Sequence, residues 1–157
     1  MADKRHLLVD GSNIVRDWPE LRELHRRDRA AAHAQLEGSL AWLHDHEGVR
    51  VTLVFDGSGS DLDVRCPGGQ RTFAVVRTPS GTTADDFIEG WIGRASAPAA
   101  CVVATGDVAE GRTVVGLGAE WISPDELASW VKRAATSLDA GLAQRRRENA
   151  RSWAGRP

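Results

Sequence analysis

Leu7-Leu8-Val9 is a short apolar run that stops at Asp10-Gly11. The same pattern recurs in Val49-Arg50-Val51-Thr52-Leu53-Val54-Phe55, which Gly48 introduces and Asp56-Gly57 closes. Runs rich in β-branched residues and bounded by turn residues read as strands. Residues 73–76, 100–104 and 120–122 read the same way, so five strands are expected. Between the first two, residues 28–46 are Ala-rich with Leu36, Leu40 and Leu43 at helical spacing, which predicts a crossover helix. Thr83-Ala84-Asp85-Asp86 has the form of a capping box ahead of Phe87, Ile88, Trp91 and Ile92. Ser123-Pro124-Asp125-Glu126 offers Ser as N-cap, Pro at N1 and Glu at N3, ahead of Leu127, Trp130, Val131 and Leu138. Alternation of helices with nearly all-apolar strands predicts a single three-layer α/β domain whose sheet is mostly parallel and covered on both faces.

Residues 57–70 hold glycines at 57, 59, 68 and 69 and read as the one long loop. The folded domain is expected over residues 1–138, with residues 139–157 as an Arg-rich helix end and tail. That tail sets Arg145, Arg146, Arg147, Arg151 and Arg156 against one acid, Glu148.

The chain has 157 residues, 41% hydrophobic and 27% charged, which suits one soluble domain with one real core. No apolar run approaches the ~18 residues of a membrane span, and the N-terminal apolar segment is too short for a signal peptide. A cytoplasmic protein is therefore expected. Cys66 and Cys101 are too few for a disulfide scaffold or a zinc quartet and are expected to be free thiols. A net charge of −2 excludes a polybasic nucleic-acid coat protein, although 18 of the 20 basic residues are Arg, suited to bidentate phosphate contact.

Ligands of open parallel sheets bind at the carboxyl ends of the strands. Asp10 and Asp56 end the first two strands, Asp107 follows the fourth, and Asp85 opens the helix before it. Clustered carboxylates raise one another's pKa unless a cation neutralises them, and oxygen-only ligands select Mg²⁺ or Mn²⁺ over zinc. The implied reaction is metal-dependent phosphodiester hydrolysis. Plainer roles compete: Asp10 and Asp56 in Asp-Gly turns, Asp107 as an N-cap, Asp86 as the N3 partner of Thr83, and Asn13 in a Ser-Asn turn. His44 and His46 face different sides of a helix and are expected to be solvated. Gly116-Leu117-Gly118 lacks the third glycine of a dinucleotide site, and there is no Gly-Lys-Ser/Thr phosphate loop. Ser12 stands where a haloacid-dehalogenase-type phosphatase needs its second acid.

Taken together, Leu7-Leu8-Val9-Asp10-Gly11-Ser12-Asn13, Trp18-Pro19-Glu20-Leu21, Val54-Phe55-Asp56, Thr83-Ala84-Asp85-Asp86 and Ala104-Thr105-Gly106-Asp107 resemble the YacP-like branch of the NYN domains, which are PIN-like nucleases. The motifs run in the family order over roughly residues 6–130. The resemblance implies strand order 3-2-1-4-5, an acidic pocket over the central strands, and Mg²⁺- or Mn²⁺-dependent cleavage of RNA. Carried over, Asp10, Asp85 and Asp107 would bind metal, with Asp56 at the rim and Asn13 in support. Some relatives act on messenger RNA at the ribosome, which makes the ribosome a candidate partner. Two departures are Ser12 where an aromatic is common and Gly106 where Ser is common in the Thr-Ser-Asp motif.

The leading expectation is an endoribonuclease acting on single-stranded RNA. The rivals are an RNA- or ribosome-binding module with a vestigial pocket and, on a similar sheet, a small-molecule phosphatase. An acidic pocket repels phosphate, so basic residues must supply the attraction. Candidates are Arg22, Arg26, Arg27 and Arg29, which follow the first strand, Arg65 and Arg71 in or beside the long loop, and the tail Arg145 to Arg147; the first two groups are expected to line the entry to the pocket, and the role of the tail is left open.

Overall fold

A computed structural model describes residues 5–154; for 138–144 and 151–154 it describes the backbone alone. Five strands run parallel. They are β1 (His6–Asp10), β2 (Arg50–Phe55), β4 (Phe73–Arg77), β5 (Cys101–Ala104) and β6 (Glu120–Ile122), in the spatial order β4-β2-β1-β5-β6. That is the expected 3-2-1-4-5 order, with the first and fourth parallel strands side by side.

The count of five needs correcting, because a sixth strand, β3 (Asp63–Arg65), pairs antiparallel with β4 at the sheet edge. It lies inside the stretch read as a loop. All three of its residues are exposed, so no apolar face imposes an alternating pattern, and only backbone pairing makes it a strand.

The helices are α1 (Gly11–Asp17), α2 (Pro19–Arg27), α3 (Arg29–Glu47), α4 (Ala84–Arg94), α5 (Val108–Gly116) and α6 (Pro124–Ala154). Sequence reading expects a turn where α1 stands and no element at α2. Each helix is under three turns, too short to show periodicity, and each is held instead by local chemistry: Asp10 caps α1, and Pro19 stands at the start of α2. The capping signals of the longer helices are satisfied as read. Thr83 and Asp86 form a reciprocal box, and Ser123 Oγ accepts from Glu126 N at 3.1 Å. Helix α6 continues unbroken across residue 138. Leu138 and Arg151 fall where side chains are not described, and Arg156 lies outside the described residues.

Alternation along the strands builds a core on each face. Leu7, Val9, Val51, Leu53 and Phe55 pack with Ile14, Leu21, Leu36, Leu40, Leu43 and Leu127 under α1, α2, α3 and α6. Leu8, Val54, Val76 and Val103 pack with Ile88, Ile92 and Val114 under α4 and α5. His44 departs from expectation: its side chain is largely buried, with Nε2 2.7 Å from Thr72 Oγ1 and the ring edge-on to Phe73. His46 is exposed and stacks on Trp42. Both cysteines are free thiols. Among the described residues no helix is long and apolar enough to cross a membrane.

Candidate active site at the carboxyl edge of the sheet

Parallel pairing brings the ends of β1, β2 and β5 to one edge, so Asp10, Asp56 and the Thr105-Gly106-Asp107 turn meet there. Asp10 is 6% exposed, and its Oδ1 accepts from Asn13 N at 3.2 Å. Asp107 caps α5, its Oδ1 accepting from Ala109 N at 2.9 Å and Glu110 N at 3.3 Å. Asp85 arrives on the first turn of α4, with its Oδ1 buried and without a hydrogen-bond partner.

The structure adds a residue that sequence reading missed. Glu110 is 1% exposed, and its Oε2 accepts from Thr105 Oγ1 at 2.8 Å while Oε1 is buried and unpartnered. In sequence, Asp107-Val108-Ala109-Glu110 looks like a second capping box, in which a glutamate at N3 turns back to the N-cap N–H. Here that N–H donates to Thr105 Oγ1 at 3.1 Å instead, and Glu110 is free to point inward. The usable signal was Thr105, a hydroxyl placed to take over the cap.

One carboxylate oxygen from each of Asp85, Asp107 and Glu110 lies within 4.8 Å of the others. Asp10 is the neighbour of Glu110, close enough for each carboxyl to affect the other's pKa. Burial is the largest cause that raises the pKa of Asp10, Asp85 and Glu110. For Glu110 the neighbouring Asp10 adds to it, and its pKa is pushed up to about 10. Asp85 is pushed up to about 7, by burial first and then by Glu89, Asp107 and Asp10.

Four acids, two of them with orphaned buried oxygens, fit a hard divalent cation. The donor set is all oxygen, which suits Mg²⁺ or Mn²⁺. Asp85, Asp107 and Glu110 would hold the ion, with Asp10 beside them.

The remaining predicted residues take supporting positions. Asp56 accepts from Ala84 N at 2.6 Å, anchoring the first turn of α4 that carries Asp85, and Arg16 lies 3.9 Å from its other oxygen. Asn13 Oδ1 accepts from Gly106 N at 2.6 Å, and Ser12 Oγ accepts from Asp56 N at 2.9 Å. One turn of α1 therefore ties down both neighbouring strand exits. Gly11 is required beneath it, because a Cβ there would lie 2.6 Å from the Phe55 ring.

Arg22, Arg26 and Arg27 are exposed on α2 and make no ion pair with these acids among the described residues. Arg65 closes a two-bond ion pair on Glu37 of α3, both contacts 3.0 Å, and Arg71 is exposed.

Comparison with known proteins follows the same lines. The solved structure of a tryptophan-to-leucine variant of Rae1 (YacP) from Bacillus subtilis is similar, with a TM-score of 0.76 and 27% identity over 92% of this chain and 85% of that one. The structure of Rae1 (YacP) without that substitution gives a TM-score of 0.71 at 27% identity over 93% and 84% of the two chains. No curated protein sequence matches. A family model for the YacP-like NYN domain matches residues 7–155. The chain belongs to the YacP-like NYN domain family, a family of PIN-like nucleases.

Proposed function

We propose that the protein is a Mg²⁺- or Mn²⁺-dependent endoribonuclease that hydrolyses phosphodiester bonds of single-stranded RNA in the cytoplasm, with messenger RNA at the ribosome as the substrate to test first. The observation that carries this reading is the convergence of Asp85, Asp107 and Glu110, two of them with buried oxygens that no protein donor satisfies. Structural carboxylates are normally paired, and unpaired ones in a shared pocket point to a ligand that the chain itself does not supply.

A bound divalent ion supplies charge neutralisation, polarisation of the phosphate and acidification of a water. The chain supplies placement. The backbone amides of α5 fix the rotamer of Asp107, and Asn13 N holds Asp10. Asp56 seats the helix that presents Asp85. Burial and Asp10 push the Glu110 pKa up to about 10, so its carboxyl would hold a proton in the empty pocket and would have to release it to a bound cation. Arg22, Arg26, Arg27, Arg65 and Arg71 are proposed to guide RNA to the pocket, countering the repulsion between phosphate and acids.

The test is cleavage of a single-stranded RNA with Mn²⁺ and with EDTA, by the wild type and by Asp10→Asn. Internal cuts are expected in Mn²⁺ alone and only from the wild type. Equal cleavage by Asp10→Asn removes the assignment, and RNA binding without any cleavage turns it into a binding module.

A further inference from the structure

On the far side of Asp56 from the acidic cluster lies a cavity of about 620 Å³, within the ~300–1,000 Å³ usual for small-molecule sites. The start of α3 contributes Arg29 and His33, the β2–β3 connection contributes Asp56 to Gly59 with Asp61, the start of β3 contributes Asp63, and the end of β4 contributes Arg77. Asp56 is the shared wall, since the same carboxylate anchors α4 on the pocket side.

The Arg77 side of this cavity is built in advance. His33 stacks on Phe55, with ring centroids 4.0 Å apart and planes at 12°. The Arg77 guanidinium lies over the same Phe55 ring at 5.0 Å and donates to His33 Nδ1 at 3.3 Å. That bond requires an unprotonated Nδ1, and burial together with Arg77, Arg29 and His25 lowers the His33 pKa to about 4. The imidazole is therefore neutral, and at 7% exposure, packed on Phe55, it serves to hold the Arg77 guanidinium in place; the remaining Arg77 N–H groups have no ion pair within 4.0 Å among the described residues. The rim is pinned as well: Gly57 N donates to Thr78 Oγ1 at 3.2 Å and Ser80 N to Gly59 O at 2.8 Å. Gly57 approaches so closely that a Cβ there would lie 2.0 Å from Thr78 O.

Charge decides what such a site takes. Asp56, Asp61 and Asp63 stand among the lining residues against Arg29 and Arg77, so a phosphate gains little there. A planar group with both acceptors and donors on its edge fits better. Bases of single-stranded RNA are commonly splayed out and stacked on histidine rings and arginine planes. Among the bases, guanine matches an arginine fork at O6 and N7. Its N1–H and amino group match carboxylate acceptors.

We propose that this cavity is a guanine subsite, holding one base of the RNA strand while a neighbouring phosphate lies over the acidic pocket. The inference rests on the nuclease reading for the identity of the strand, and on the cavity alone for the base.

The test is titration of the ¹⁵N-labelled full chain with GMP, AMP, CMP and UMP in EDTA, followed by NMR. Saturable shifts are expected at the Gly57 and Gly59 amides and at the Arg77 side chain, with GMP binding at least about tenfold tighter than the others. Arg77→Lys keeps the charge and loses the planar fork, and it should lose the guanine preference. Cleavage of an RNA with a single guanosine should fall at a fixed offset from it, and the offset should vanish in Arg77→Lys. Shifts confined to α2, or no shift with any nucleotide, overturn the subsite, as does a folded Arg77→Lys that binds GMP like the wild type. If Arg77→Lys does not fold, the wild-type titration decides alone. GMP binding without RNA cleavage keeps the subsite and removes the nuclease, whereas cleavage without GMP binding does the reverse.

Discussion

Asn13 on α1 accepts a 2.6 Å hydrogen bond from the backbone N–H of Gly106, 93 residues away, and so ties the exit of β1 to the exit of β5. The turn it holds leads directly into Asp107. A Cβ at Gly106 would lie 3.0 Å from that Asn13 oxygen and 3.1 Å from Pro124 Cγ, so glycine suits this close approach. Asn13 is thus a positioning residue. Asn13→Ala should lower kcat by about tenfold or more with KM little changed. The stability loss should be about 1 kcal/mol, the size of one hydrogen bond. Unchanged kcat in a folded variant would remove this role.

Metal loading should appear as stability. At a free Mn²⁺ concentration about a hundred times Kd, binding to the native state alone adds about 2.7 kcal/mol. For a chain of this size that is a rise in Tm of roughly 5–10 °C. Glu110→Gln preserves an acceptor for Thr105 and removes the need to hold a proton, so its Tm without metal should match or exceed that of the wild type. Its response to Mn²⁺ should be largely lost, as should that of Asp85→Asn. A wild type indifferent to Mn²⁺ in a thermal melt would rule out the cation site.

The two adjacent acids of α4 should separate cleanly. Asp86 is exposed and accepts from Thr83 N at 3.2 Å, so Asp86→Asn should cost about 0.5–1 kcal/mol of stability and leave cleavage near the wild-type rate at saturating Mn²⁺. Asp85→Asn should abolish it. Equal loss of activity in both would mean that Asp86 serves the chemistry.

Acid should destabilise the fold through His6. This residue is 6% exposed, its Nε2 lies 2.7 Å from Thr52 Oγ1, and burial, then Arg50, lowers its pKa from 6.5 to about 4. The unfolded chain therefore binds the proton first. Stability from this group is intact above about pH 6.5 and is lost as pH falls toward 4, by up to about 3 kcal/mol. The raised carboxyls of the pocket act in the opposite sense, so the comparison must be between wild type and His6→Gln. Urea denaturation across that window should show a steeper loss for the wild type. Parallel curves would remove the contribution.

The path of RNA outside the pocket is testable by salt. In Ca²⁺, chosen as a non-supporting cation, loss of phosphate contacts should lower the slope of log K against log salt by about 0.7 each. Arg26→Ala/Arg27→Ala is expected to lower it, and truncation after Gln144 is expected to leave it unchanged. The reverse result would move the path to Arg145, Arg146 and Arg147, which are exposed on α6.

Much of this molecule was legible one residue type at a time. Fully buried parallel strands are apolar on both faces, so β1, β2 and β5 announce themselves, and the capping residues of α4 and α6 sit where the backbone amides need them. Edge strand β3 was not legible, because exposed residues carry no alternation. Helices α1 and α2 were too short for a period to emerge.

The site divides in the same way. Asp10, Asp56 and Asp107 could be placed from sequence because the ends of parallel strands face one edge, and strand ends are local features. Glu110 could not, because a glutamate at N3 has two rotameric fates and the choice depended on Thr105 occupying the Asp107 N–H. Asp56 anchoring α4, Asn13 holding Gly106 and Arg65 closing on Glu37 each join residues 28 to 93 positions apart. Periodicity and capping are governed by neighbours within a few residues, and so the sequence by itself determined the strands, the main helices and the edge where the acids gather. Which side chains point inward, which are already partnered and which oxygens remain unsatisfied are settled by packing between distant segments, and only the tertiary structure decided them.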